Sequence, residues 1–368
     1  MTYLDNGATS FHKPEAVYRE VQCAMANCAN PGRGGYTAAM AASAAVLRCR
    51  EQAAALFDCQ PEQVVMTSNC THGLNIAINT LVKPGSRVVI SGFEHNAVTR
   101  PLYARKAQMK IAGQKLFDWA DTLESFEDAL RSGADAAVFT YVSNVFGYIL
   151  PVYEMAGLCK QYGVPFAVDA AQAAGMLPVD FEKLGADFIA MPGHKGLLGP
   201  QGTGLLLCSR EPAALIQGGT GSLSQQLEMP DFLPDMAEAG TLNVPGIAGL
   251  SAGIRYVRKL GPERILAREQ REARRCGEKL EKFGFHVFMG DNQSGTISFV
   301  SQMDCEEMAG KLGEKGIAVR AGLHCAPLAH TSAGTLQTGT VRVSFGHDAA
   351  PWQTGNLLLE VEKLLREK

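Results

Sequence analysis

The stretch Asp187–Leu207, DFIAMPGHKGLLGPQGTGLLL, sets one lysine, Lys195, directly after a histidine and among five glycines, between two apolar runs. If both runs are core strands, this lysine is not surface decoration, because a buried ammonium without a partner is very costly. It needs a counter-charge or a chemical task. Working outward, further runs rich in Val, Ile and Phe alternate with longer segments of helical period, the pattern of parallel βαβ construction. The expected strands are 64–68, 87–91, 136–143, 165–171, 187–192 and 204–208, with helices over 71–81, 123–130 and 153–162 between them. Such a sheet is buried on both faces.

Beyond the loop-like stretch 218–245 the texture changes. Two long helical segments (247–260 and 263–283) are followed by short strands at 296–300, 317–320 and 341–345 and a last helix over 352–366. The fold class expected is therefore α/β, a mostly parallel central sheet with helices on both faces, plus a smaller α+β C-terminal domain. The division predicted is a large domain over 15–250 and a small one made of 1–14 and 251–368.

Composition narrows the function classes. The 368 residues carry 34 basic and 37 acidic side chains, a formal charge of −3, well mixed along the chain. That pattern gives no track for nucleic acid and no patch for an anionic membrane. No window reaches the roughly 18 apolar residues that a spanning helix requires, and the first residues do not read as a leader, so a cytoplasmic protein is expected. The ten cysteines are scattered with no CxxC pair, which argues against a zinc ribbon or a disulfide framework and leaves no metal site.

In open α/β sheets ligands lie beyond the carboxyl ends of the strands. Four such ends hold polar residues. TSNCTHGLN (67–75) offers a helix N-terminus at Cys70 and Thr71, suited to a phosphate or equally to a plain N-cap by Asn69 or Thr71. SGFEHNAV (91–98) places His95 just past a strand. PFAVDAAQAAG (165–175) ends an apolar strand on Asp169, which needs a cation, structural or functional. The fourth end carries Lys195. If its strand neighbours that of Asp169, an amine and a carboxylate face one crevice. A phosphate cradle, a buried carboxylate and a buried lysine together suit pyridoxal 5′-phosphate, whose aldehyde condenses with an amine and whose ring nitrogen is held protonated by an acid.

With YLDNGATS, RGGYT, TSNCTHGLN, EHNAV, YVSNVFG, VDAAQAAG, PGHKGLLGPQGTG, EAGTLN, VRAGLHCAPL and VRVSFG in order along the chain, the sequence resembles the class V aminotransferases of fold-type I, and within them the cysteine desulfurase and selenocysteine lyase group. The resemblance implies that Lys195 is the Schiff-base lysine, that Asp169 faces the pyridine nitrogen, that Gln172 reaches the ring hydroxyl and that His95 stacks on the ring and moves protons. It puts Cys70, Thr71 and His194 at the phosphate, with Thr241 reaching in from the second subunit of a homodimer. Asn144 and Arg342 become ligands of the substrate carboxylate, with Arg33 and Arg320 nearby; an arginine fork donates two parallel hydrogen bonds to such a group. Pro192 departs from the pattern, which commonly has a serine there, and proline has neither hydroxyl nor N–H to offer a phosphate.

Desulfuration and aminotransfer share these residues, so a further nucleophile must separate them. Cys325, in VRAGLHCAPLAH (319–330), sits among polar and flexible neighbours that suit a mobile, exposed thiol, whereas most of the other cysteines read as core. By the same resemblance Cys325 takes the sulfur of L-cysteine as a persulfide, releases L-alanine and passes the sulfur to an acceptor protein. Selenocysteine lyase and an aminotransferase acting on another small amino acid stay open as alternatives, as do the pathway served, iron–sulfur cluster assembly among them, and the order of the Cys325 loop.

Overall fold

The computed structural model describes residues 1–32 and 34–366; Arg33 lies outside the described residues. Seven strands form the central sheet in the spatial order Val64–Thr67, Gly204–Cys208, Phe188–Pro192, Phe166–Asp169, Ala136–Thr140, Arg87–Ser91, Gln108–Ala112. Every neighbouring pair is parallel except those involving Gly204–Cys208, which runs antiparallel to both of its neighbours. Its connection from Phe188–Pro192 is a short glycine-rich loop with no helix, and only an antiparallel return can be made so briefly.

Successive residues of these strands enter two different apolar clusters. Phe139, Val168, Ile189 and Leu205 pack with residues such as Phe126, Met155 and Leu250, while Val138, Ala167, Ala190 and Leu206 pack with Leu74, Ile78 and Val98. Helices thus cover both faces, and the two-sided burial explains why the strands read as unbroken apolar runs. A third cluster, in which Leu4 joins Cys276, Leu280, Ile297, Phe299, Val343 and Leu357, lies under a four-stranded antiparallel sheet ordered Arg320–Gly322, Thr340–Ser344, Thr296–Val300, His286–Phe288. The N-terminal strand Thr2–Tyr3 pairs in parallel with Ile317–Ala318. Among the described residues no helix is long and apolar enough to cross a membrane.

Boundaries differ from the sequence expectation where hydrogen bonding stops before hydrophobicity does. The apolar runs 136–143 and 165–171 continue past the ladder, which ends at Thr140 and Asp169. Residues 317–320 divide into two short strands in different sheets. The edge strand Gln108–Ala112, exposed at four of five positions, has no apolar run to announce it.

The loop carrying Lys195 is seated by close backbone approach. Gly175 has φ 89°, and a Cβ there would come within 2.3 Å of the Gly196 carbonyl oxygen; a Cβ on Gly253 would meet the Leu197 oxygen at 2.3 Å. Gly175→Ala should therefore destabilise the protein by about 2 kcal/mol or more through strain at positive φ, read as a lower urea midpoint. An unchanged midpoint would mean that the loop yields freely.

Candidate active site

Because Phe166–Asp169 and Phe188–Pro192 are parallel neighbours, with Asp169 opposite Ala190, their carboxyl ends open on the same side. There a cavity of about 220 Å³ is lined by eleven of the residues expected at the site: Cys70, Thr71, His95, Asn144, Asp169, Gln172, His194, Lys195, Arg320, Cys325 and Arg342. Pro192 lines it too. Thr241 does not. It lies at a second cavity, where Glu238 of the same EAGTLN stretch is fixed by nitrogen donors: Arg50 Nη2 donates to Glu238 Oε1 and Oε2 at 2.8 and 2.7 Å, and the Met66 N–H to Oε1 at 2.6 Å.

Asp169 ends its strand with its side chain 3% exposed, accepting the Ala171 N–H at 2.8 Å and the Cys70 thiol at 3.4 Å on Oδ1. Burial lowers the Lys195 ammonium from its ordinary range; Asp169 pulls the other way, and the Arg342 and Arg320 charges reinforce the burial. The net direction favours a neutral amine, the form that condenses with a carbonyl.

At the first side of the cavity, helix Cys70–Leu81 begins under an N-cap in which Asn69 Oδ1 accepts the His72 N–H at 2.9 Å. The other N–H groups of that first turn have no intrahelical acceptor, so with the helix dipole they can hold an anion. His194 adds no charge to them: burial pushes its ring down to about 4, and Nδ1 shares a hydrogen bond with Thr9 Oγ1 at 3.1 Å. His95 caps helix Asn96–Ala104, its Nδ1 accepting the Ala97 N–H at 3.0 Å. That bond fixes the neutral tautomer with its proton on Nε2, and burial lowers the ring's affinity for a second proton.

At the opposite side, Arg342 is 2% exposed. It donates from Nη1 to the Asn144 carbonyl at 2.9 Å and from Nη2 to Asp5 Oδ1 at 2.5 Å, while its Nε–H has no partner among the described residues. Arg320 stands opposite it in the strand register. Asn144 spends an amide proton on the His324 carbonyl (2.7 Å), and Gln172 one on the Gly7 carbonyl (2.9 Å), which leaves each a second N–H and its amide oxygen.

Cys325 is exposed. His324 and Cys325 both have positive φ, 49° and 57°. The loop is anchored rather than free: the Asn144 amide holds the His324 carbonyl, and the Asn96 N–H donates to the Cys325 carbonyl at 2.7 Å. His324 itself is buried, and its ring is pushed down to about 2, so it brings no positive charge to the thiol.

Sequence reasoning missed Asp5 and Glu94. Asp5 stands in the quoted YLDNGATS motif and is visible only through its ion pair. Glu94 is fully buried beside His95; Oε1 accepts from Ser91 Oγ and, at 2.9 Å, from the Thr140 N–H, and Oε2 has no partner among the described residues. Burial pushes this carboxyl up to about 8. The unfolded chain ionises it near the ordinary glutamate value, so between that value and about 8 the native state holds the extra proton and stability falls as pH rises. The slope approaches about 1.4 kcal/mol per pH unit. Glu94→Gln, which mimics the protonated acid, should flatten that slope in urea unfolding series across this window; an equal slope in the variant would sink the assignment.

The family described as Aminotransferase class-V matches residues 2–351. The probable cysteine desulfurase of Methanothermobacter thermautotrophicus is 32% identical over 357 residues, covering 93% of this chain and 89% of that protein. The cysteine desulfurase of Klebsiella pneumoniae is 33% identical, covering 89% of this chain and 84% of its own. In three dimensions the apo cysteine desulfurase from Thermococcus onnurineus NA1 superposes with a TM-score of 0.91 at 31% identity, covering 100% of this chain and 95% of that one.

Proposed function

The chain belongs to the class-V aminotransferase family, and from that premise we propose that it is a cysteine desulfurase, using pyridoxal 5′-phosphate to convert L-cysteine to L-alanine and a protein-bound persulfide. The observation that carries the reading is a single cavity in which Lys195 and Asp169 meet an exposed cysteine, Cys325. An aminotransferase has use for the first two and none for the third. The desulfurase relatives over most of the chain support the same choice.

The residues present fit the cofactor by their chemistry. Lys195 supplies an amine biased toward its neutral form, Asp169 an anion for the ring nitrogen, and the first turn of helix Cys70–Leu81 N–H donors for the phosphate. Backbone donors take the place of the hydroxyl that Pro192 lacks. When bound, pyridoxal phosphate withdraws electrons from the α-carbon of the amino acid and so makes its proton removable.

The remaining work falls to the chain. Arg342, with Arg320 and Asn144, binds the substrate carboxylate; Arg33 belongs to the same proposal. Lys195 Nζ accepts the α-proton, and the Nε2–H of His95 is the local proton donor. The Cys325 thiolate then attacks the substrate sulfur: an S–S bond forms, the substrate Cβ–S bond breaks, and its electron pair stays on the carbon side and is protonated. In sum, enzyme thiol and L-cysteine give enzyme persulfide and L-alanine, and a second thiol or acceptor protein takes the sulfur. We read the protein as a homodimer, in which Thr241 serves the partner's phosphate site; Met25, Tyr36 and Met40 are exposed apolar side chains on or beside the N-terminal helices Glu15–Asn27 and Thr37–Phe57 and suit such a contact.

Incubation with L-cysteine and a reducing thiol should yield alanine and sulfide; no alanine would end the proposal. Cys325→Ala should retain the visible absorption of the bound cofactor and lose sulfur release by about a hundredfold or more. Full activity in that variant would favour an aminotransferase. Lys195→Ala should lose both absorption and turnover. Parallel assays with L-selenocysteine decide whether the preferred chalcogen is sulfur.

A further inference from the structure

The substrate-binding arginine of the proposed reaction does not stand alone. Arg342 lies in the middle of strand Thr340–Ser344, almost without solvent, and a guanidinium in that position is free to rotate about its long side chain unless its N–H groups are held. Two of its donors are. Nη1 is taken by the Asn144 carbonyl and Nη2 by Asp5, at 2.9 and 2.5 Å, and Nε–H is left with no partner among the described residues. A buried charged donor without an acceptor is expensive, and the cavity beside it is where an acceptor would come from.

Asp5 is itself firmly placed. Residues 4–6 thread beside the strand that carries Arg342: the Ser344 N–H donates to the Leu4 carbonyl at 2.8 Å, and the Asn6 N–H to the Ser344 carbonyl at 3.2 Å. Tyr3 Oη donates to the Asp5 carbonyl at 3.0 Å. Gly7 closes the face of the guanidinium, since a Cβ there would come within 3.2 Å of Arg342 Cζ.

Resting on the desulfurase reading, we propose that Asp5 is a positioning residue that orients the Arg342 guanidinium so that its free Nε–H and a neighbouring Nη proton form the fork for the substrate carboxylate. Asp5 acts by accepting a hydrogen bond, and its role is distinct from that of a competing anion.

Asp5→Ala removes the acceptor, and Asp5→Asn keeps an acceptor oxygen while removing the charge. In the cofactor-loaded enzyme, Asp5→Ala should raise KM for L-cysteine roughly tenfold with kcat within about twofold, and Asp5→Asn should restore most of the loss. Calorimetric titration with 3-mercaptopropionate, which has the carboxylate and no amine to react, should show the same loss of affinity. A merely structural role would reduce the active fraction and leave KM and this affinity unchanged, which would overturn the proposal. So would tighter binding in both variants, the signature of a competing anion. Should Asp5→Ala fail to fold, Asp5→Ser, whose shorter side chain withdraws the acceptor, is judged by the same criteria. If the wild type makes no alanine the enzymatic reading fails, while the titration still tests Asp5.

Discussion

The site depends on one adjacency, the parallel pairing that sets Asp169 across from Ala190 and so delivers a carboxylate and, five residues past the facing position, an amine to one crevice. Neither charge is cheap there. Desolvation works against the Lys195 ammonium, and the attraction of Asp169 offsets it only in part. For Lys195 burial is the larger effect and lowers the amine. The fold thus biases this nitrogen toward its neutral, nucleophilic form beside a carboxylate.

Charge is distributed unevenly around the cavity. The three histidines at or behind its wall, His95, His194 and His324, are all driven toward neutrality by burial. They serve as hydrogen-bonding groups rather than as cations. Positive potential therefore comes from Arg342 and Arg320, which face each other across antiparallel strands; their like charges repel, and Asp5 on Arg342 Nη2 offsets part of that repulsion. At the other side the donors are uncharged backbone N–H groups at a helix start. In the proposed reaction one end of the cavity offers a charged fork to a carboxylate and the other offers dipoles to an oxyanion.

The strands buried on both faces were legible in the sequence because two-sided burial writes an apolar run. Gln108–Ala112 was not, since an edge strand exposed to solvent carries no such signal. Neither was the direction of Gly204–Cys208, whose Leu-rich run reads the same either way and is decided by the shortness of the loop before it. Lys195, Asp169 and Cys325 were legible as chemistry out of place: polar groups at the ends of apolar runs, and one thiol among flexible neighbours. Asp5 and Glu94 were not, because an acidic residue in a loop resembles any surface acid until its partner, or its lack of one, is seen in three dimensions.

Two thiols line this cavity, and their surroundings give them opposite characters. Cys70 is buried, its pKa is raised well above the ordinary thiol value by desolvation and by Asp169, and its proton is directed to that carboxylate. It stays protonated and poorly nucleophilic. Cys325 is exposed, on a backbone held in left-handed geometry at two successive non-glycine residues, a strain that hydrogen bonds from Asn144 and Asn96 offset. Those two bonds tie the thiol's loop to the element that follows His95 and to the residue whose carbonyl holds Arg342. The groups expected to grip the substrate and the group expected to take its sulfur therefore share one hydrogen-bonded frame, and a displacement of either is transmitted to the other through Asn144.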